Sequence, residues 1–253
     1  MERTPITPDL HEFPTLFHSL LEGTPVYDSS SSPDARVWLI DRDSGLFLKT
    51  ASKGSLRTEA EMTRFFHSRG LSAEVLSYES LESDWLLTAR ISGEDCLHQS
   101  YLDDPARLCD TIAEILRLLH SADSTGCPVQ DLTARRLSSK PAAQPCDLWY
   151  FPSPEAARRL VEENGNYLRS NVLVHGDCCL PNILLDDWRF SGLIDLAAGG
   201  IGDRHMDLVW ILWSLEHNLG TTRWRDRFLD AYGREDVEET LLRTVEAMEY
   251  LGI

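Results

Sequence analysis

The hydrophobic pattern of this chain changes period once, near residues 88–93, and that change limits the possible folds more than any other feature. Ahead of it, β-branched and aromatic residues come in short runs at 35–40, 46–49, 73–78 and 85–91, separated by Asp/Ser/Gly-rich turns. The first two runs read as a hairpin with Lys49 at the end of its second strand. A single helical pattern interrupts them at 58–68: Met62, Phe65 and Phe66 supply its apolar face, Thr58 and Glu61 a capping box, and Gly70 a stop. A further short helix is expected over 11–21, a loop over 28–34 and an irregular connection over 121–150. Past residue 93 the apolar spacing becomes helical, as in Leu108, Ile112, Ile115, Leu116 and Leu119 after Pro105, and again over 153–165, 203–218, 222–232 and 236–250. Ser153 and Pro154 open the second of these, and Gly165, Gly220 and Gly233 stand as stops. Strands first and helices afterwards predict a segregated α+β fold in two lobes. The small strand-rich N-lobe covers 1–89 and the larger helical C-lobe covers 90–253.

Chemistry concentrates in Val174-His175-Gly176-Asp177-Cys178-Cys179-Leu180-Pro181-Asn182. A carboxylate and an amide are separated there by four residues on a proline-braced loop, and a second carboxylate follows in Gly192-Leu193-Ile194-Asp195-Leu196. Protein kinases use the order His-x-Asp, four residues, Asn, then a later Asp for phosphoryl transfer. In that reading Asp177 orients the acceptor hydroxyl or takes its proton, and Asn182 and Asp195 carry oxygen ligands suited to Mg²⁺. A lone Asp or Asn is usually a turn residue, but four positions in register between short apolar strands are not explained by turns. His175 is expected to support the loop by hydrogen bonding, Asp203 to cap a helix and Asp207 to act as a buried acceptor. Lys49, with Glu59 or Glu61 on the next helix, matches the way kinases grip α- and β-phosphates, although most strand-end lysines are merely solvated. Ser31 and Ser32 lie in a serine-rich loop that could cover phosphates through its backbone, or simply be flexible.

Composition narrows the partners. Forty-one acidic against 24 basic residues give a formal net charge of −17, which excludes a phosphate-binding basic stripe and hence nucleic acid. The same excess suits a polycationic small molecule, though acidic surfaces also serve solubility alone. Six cysteines show no C-x-x-C spacing, so reduced, packed thiols are expected, Cys179 included. With no signal-like start and no apolar run long enough to span a bilayer, the expectation is a cytoplasmic protein without a membrane partner, a monomer or weak homodimer.

The stretches 174–182, 190–195 and 202–208, together with Leu46-Phe47-Leu48-Lys49, Trp85-Leu86-Leu87, Leu118-Leu119-His120-Ser121 and Cys127-Pro128, resemble the bacterial aminoglycoside O-phosphotransferases, the 3′ and 3″ enzymes. The resemblance spans nearly the whole chain. It implies a bilobal protein-kinase-like fold with ATP or GTP and Mg²⁺ between the lobes, Asp177 as the catalytic carboxylate and Asn182 and Asp195 as metal ligands. It further implies Lys49 on the phosphates with Glu59 as its partner, and Thr88, Ala89 and Ile91 meeting the base through the backbone. Glu249, in Ala247-Met248-Glu249-Tyr250, is placed by it near a cationic acceptor. The chain departs from the family at Ala198, where Arg is common, and in a shorter, acid-poor connection over 127–171 that holds Asp131 and Asp147. An aminoglycoside hydroxyl is therefore the expected acceptor. A macrolide or another hydroxylated metabolite is the alternative within the class, and a non-catalytic nucleotide-binding module the alternative outside it.

Overall fold

The computed structural model describes residues 3–31 and 33–253. The chain divides into two compact units, Met1–Gly93 with Ser191–Ala197, and Glu94–Phe190 with Ala198–Ile253. The sequence reading places the division between 89 and 90 and does not anticipate the return of 191–197 to the first unit.

The first unit is an antiparallel sheet of six strands: β1 (Thr4–Ile6), β2 (Val26–Asp28), β3 (Ala35–Ile40), β4 (Leu46–Ser52), β5 (Val75–Ser80) and β6 (Ser83–Ala89), in the order β1-β2-β3-β4-β6-β5. Alternation along the strands gives each face its own core. One face carries Trp38, Ile40, Leu48, Trp85 and Leu87, covered by Phe13, Phe17 and Leu21 of the N-terminal segment. Trp38 and Trp85 stack with centroids 6.0 Å apart, and Phe13 meets Trp38 edge-on at 4.8 Å. The other face packs Leu86 against Leu56 and Ala60 at the start of a helix over Arg57–His67. Lys49 pairs with Leu86 across β4 and β6, so its side chain emerges on that second face.

The helix expected over 11–21 is broken by Pro14, which fixes its own φ and offers no N–H. Short 3₁₀ turns at Leu10–Glu12 and Thr15–Phe17 lead instead into α1 (His18–Leu21), and Arg57–His67 is α2. The predicted capping box of α2 does not form. Its N-cap is Leu56, which makes no side-chain capping bond.

The second unit contains α3 (Gln99–Leu102), α4 (Pro105–Ser121), α5 (Leu132–Leu137), α6 (Pro154–Asn164), α7 (His205–Leu219), α8 (Arg225–Tyr232) and α9 (Glu239–Leu251). Asp104 caps α4 by accepting from Arg107 N–H, and Ser153 caps α6 by accepting from Ala156 N–H. Gly220 and Gly233 close α7 and α8 in the left-handed conformation. α3 and α5 have no counterpart in the sequence reading. α5 lies in the irregular stretch, started by Asp131 at φ +47° with its carboxylate on Ala134 N–H. Short strands β7 (Glu94–Asp95), β8 (Val172–Val174) and β9 (Ile183–Asp186) follow, then β10 (Arg189–Leu193) and β11 (Gly200–Gly202). β8 pairs with β11 and β7 with β9, both antiparallel, which sets the 175–182 loop between two anchored strands. Among the described residues, no helix is long and apolar enough to cross a membrane.

Candidate active site

Within the first unit Lys49 is the centre of a closed ion-pair cluster. Its Nζ donates to Glu59 Oε1 and Oε2 at 2.8 and 2.9 Å and to Asp195 Oδ1 at 2.8 Å, which uses all three ammonium donors. Burial works against the charged form of Lys49, but Glu59 and then Asp195 outweigh it and its pKa is raised, so it is a cation at any working pH. Burial pushes the Glu59 carboxyl up against the pull of Lys49. Glu59, which the resemblance implies, is the partner; Glu61, the other acid that the helical pattern offered, is exposed. Asp195 holds φ +58°, a left-handed value that a non-glycine residue adopts at a cost of about 1–2 kcal/mol. Its side chain remains 43% exposed, against 8% for Glu59.

Within the second unit the 175–182 loop is hung from α7. Asp207, fully buried, accepts His175 N–H at 2.9 Å and Gly176 N–H at 2.8 Å, and His120 Nε2 lies 3.1 Å from the same carboxylate. His120 is braced in turn by Tyr232 Oη at 2.7 Å. Ser214, two turns along α7, accepts Leu180 N–H. Asn182 Nδ2 donates to Asp177 O at 2.9 Å and to Asp177 Oδ2 at 3.2 Å, so the amide nitrogen faces the carboxylate and Oδ1 is its remaining ligand atom. Gly176 sits at φ +82°, and a Cβ there would lie 2.1 Å from Ala198 O, which is why no side chain is tolerated between His175 and Asp177. The Cys178 and Cys179 thiols are buried, and burial first, with nearby carboxylates, pushes both well up. They are packed, protonated side chains, as the sequence suggested.

Other expected residues fall elsewhere. Asp203 accepts His205 N–H at 2.9 Å and Arg169 N–H at 2.6 Å, and His205 Nδ1 stands 2.6 Å away. Since His205 Nε2 accepts from Glu238 N–H, Nδ1 carries the proton and donates to Asp203. Ser31 is exposed beside a loop organised by Asp28 and Ser30, and Ser32 lies outside the described residues. Thr88 and Ala89 belong to β6, and Ala89 N–H is already bonded to Glu74 O. Arg90 N–H is bonded to Gly45 O, which leaves Ile91 as the backbone position past the ladder. Glu249 is partly buried, with Oε1 2.8 Å from Arg136 Nη2. Burial raises its pKa, Arg136 opposing. Arg136 also binds the carbonyl of Ile253 through Nε and Nη2. The sequence reading missed Arg136, whose only signal was a basic residue in an acid-poor segment, and Asp84, the last of three acids in the turn before the 85–91 run.

A lysine held by a helix glutamate and a strand-end aspartate, with an Asp–Asn loop suspended from a buried aspartate, is the equipment of a phosphotransferase in a protein-kinase-like α+β fold. The family model described as "Phosphotransferase enzyme family" matches residues 22–244, and the chain belongs to that family. It is 42% identical to the probable aminoglycoside 3′-phosphotransferase of Lactococcus lactis subsp. lactis (strain IL1403), over 96% of this chain and 97% of that protein. Among solved structures it superposes on an aminoglycoside 3′-phosphotransferase of type VIII with TM-score 0.70 and 24% identity, covering 93% of this chain and 96% of the other. The aminoglycoside phosphotransferase APH(3″)-Id of Streptomyces rimosus, solved with ADP and streptomycin, gives TM-score 0.64 at 20% identity, covering 85% and 90%.

Proposed function

We propose that this phosphotransferase moves the terminal phosphoryl group of ATP, or alternatively GTP, onto a hydroxyl of an aminoglycoside antibiotic. The observation that carries this reading is the pairing of Asp177 with Asn182 on a loop whose backbone is bonded to the buried Asp207. The 3′-phosphotransferase relative, matched from end to end, supports the substrate class.

In this reading Asp177 accepts the acceptor hydroxyl's hydrogen bond, aligns its oxygen for in-line attack, and takes the proton as the P–O bond forms. Asn182, by donating to Asp177, holds that carboxylate in one rotamer. Lys49 binds the α- and β-phosphate oxygens. Because its three donors are already committed, a phosphate oxygen takes the place of Asp195, and the half-exposed Asp195 is released to hold metal. The donor set fits magnesium: one carboxylate oxygen and one amide oxygen, with phosphates and water completing the shell. Mg²⁺ held by Asn182 and Asp195 would neutralise charge on the phosphates. Ile91 offers backbone groups to the base, and Glu249, with Arg136 tempering its charge, stands toward the cationic acceptor.

Nucleotide consumption across kanamycin-like, streptomycin-like and macrolide acceptors tests the substrate class. Turnover is expected with an aminoglycoside. Tight nucleotide binding with no turnover on any of them would replace the enzyme reading with that of a binding module. Asp177→Asn is expected to lower kcat by about 10²–10⁴-fold with nucleotide affinity within about twofold. A collapse of nucleotide affinity would show that Asp177 has been given the wrong role.

A further inference from the structure

α2 carries Glu59 in its first turn, yet that turn has no cap of its own, since Leu56 at the N-cap contributes no side-chain bond. One donor at the helix start, the Leu56 N–H, is met from 28 residues downstream by Asp84 at the start of β6. Asp84 Oδ2 accepts Leu56 N–H at 3.0 Å and Tyr78 O–H at 2.9 Å, while Oδ1 accepts Ser80 Oγ–H at 2.6 Å. The backbone N–H of Gly54 is a fourth donor, and the Asp84 side chain is fully buried. One carboxylate therefore ties the turn before α2 to both β5 and β6, with its negative charge at the positive end of the helix. Burial opposes ionisation of Asp84, but the four donors outweigh it and hold the carboxyl down at about 2.

The far end of α2 is stitched as well. Leu193 N–H bonds to Leu71 O at 2.8 Å, and Ser72 Oγ donates to Leu193 O at 2.7 Å. Leu193 lies two residues before Asp195, so the bonds close into a ring: Asp195 to Lys49, Lys49 to Glu59, α2 to Leu71 and Ser72, and back through Leu193. The backbone of Asp84 also meets β4, where its carbonyl accepts from Thr50 Oγ1 at 2.8 Å, but its carboxylate enters this ring at the first turn of α2, the turn that carries Glu59. A displacement of that turn by roughly 1 Å would carry the 2.8 Å Lys49–Glu59 bond out of hydrogen-bond range.

We propose that Asp84 is a positioning residue for nucleotide binding, acting through the first turn of α2 on Glu59 and through Glu59 on the Lys49 ammonium. This rests on the reading that Lys49 meets the nucleotide phosphates. A carboxylate is required because Asn offers one oxygen and would turn an N–H₂ group toward donors.

The test is a double-mutant cycle read by calorimetric titration of the intact chain with ATP in the presence of Mg²⁺. Asp84→Asn is expected to weaken ATP roughly tenfold in the native background, the scale of a lost charge-assisted hydrogen bond. In the Lys49→Ala background it is expected to add less than about twofold, because the effect passes through Lys49. Phe13→Leu, on the opposite face of the same sheet, serves as a destabilised control and should leave ATP affinity unchanged. Equal losses in both backgrounds, or no loss with Lys49 present, would overturn the proposal. If Lys49→Ala alone leaves ATP affinity intact, the assignment of Lys49 itself is refuted, a result distinct from failure of Asp84. Should Asp84→Asn not fold, Tyr78→Phe removes one donor with little other change; a two- to threefold loss confined to the Lys49 background is expected, and additivity there would count against the proposal.

Discussion

Gly176→Ala isolates the steric demand at the centre of the candidate site. The added methyl would lie 2.1 Å from Ala198 O, 2.7 Å from Ala198 C and 3.0 Å from Ala198 Cβ. The oxygen contact is roughly 1 Å inside van der Waals separation, and the atoms met are backbone, which cannot rotate away. Alanine at φ +82° adds about 1 kcal/mol of conformational cost. Relief of the clash by backbone movement adds about 1–3 kcal/mol, for a total of about 2–4 kcal/mol. In a chain of this length that is a fall in Tm of about 5–15 °C. The movement has two routes: Ala198 retreats, or the 175–182 loop shifts and strains the Gly176–Asp207 bond of 2.8 Å. Since the loop carries Asp177, a 1 Å displacement on the second route would lower kcat by about 10²-fold, with a smaller effect on nucleotide affinity, for which Lys49 is the proposed phosphate contact. Differential scanning fluorimetry and steady-state kinetics on the same preparation measure both. A variant whose Tm stays within 2 °C and whose kcat stays within about threefold of the parent would refute the steric argument and the role given to this backbone.

Two other perturbations follow from the same networks. Asp207→Asn keeps one acceptor oxygen where two backbone N–H groups and His120 converge, so a loss of about 3 kcal/mol is expected, read as a lower urea midpoint at unchanged m-value; a loss under about 1 kcal/mol would contradict the picture of the loop hanging from this carboxylate. For pH, the sign is set by Asp84, whose folded pKa of about 2 lies below the ordinary aspartate value of 3.8. A depressed carboxylate contributes stability that is fully present above its unfolded pKa and lost as pH falls through the folded one. The Tm gap between the native chain and Asp84→Asn should therefore hold at neutral pH and narrow from about pH 4 toward pH 2. A gap unchanged across that interval would mean that Asp84 does not act as an ionised group.

The positions of chemistry were legible because they are local. His175, Asp177 and Asn182 fall within one loop flanked by short apolar runs, and the longer helices after residue 93 announced themselves by spacing, whereas the short α3 and α5 did not. The break of the N-terminal helix at Pro14 was also written in the chain, although its consequence was not. Those turns bury Phe13 and Phe17 on Trp38 and Trp85 and so supply one face of the sheet with its core. The Thr58–Glu61 box failed for a different reason. A local cap competes with any tertiary acceptor of better geometry, and Asp84 supplies one already fixed by Tyr78, Ser80 and Gly54.

The sequence by itself determined the α+β order of elements, the register of the Asp–Asn loop and its later aspartate, and the phosphotransferase chemistry these imply. Helical pattern alone left Glu59 and Glu61 equal, and nothing in the sequence paired Arg136 with Glu249 or placed Asp84 beneath α2. Only tertiary structure decided the last two, because each depends on a contact between groups far apart in sequence, 28 residues for Leu56 and Asp84 and 249 − 136 = 113 for Arg136 and Glu249. Periodicity reports which face of an element is buried; it carries no information about which charged group meets it there.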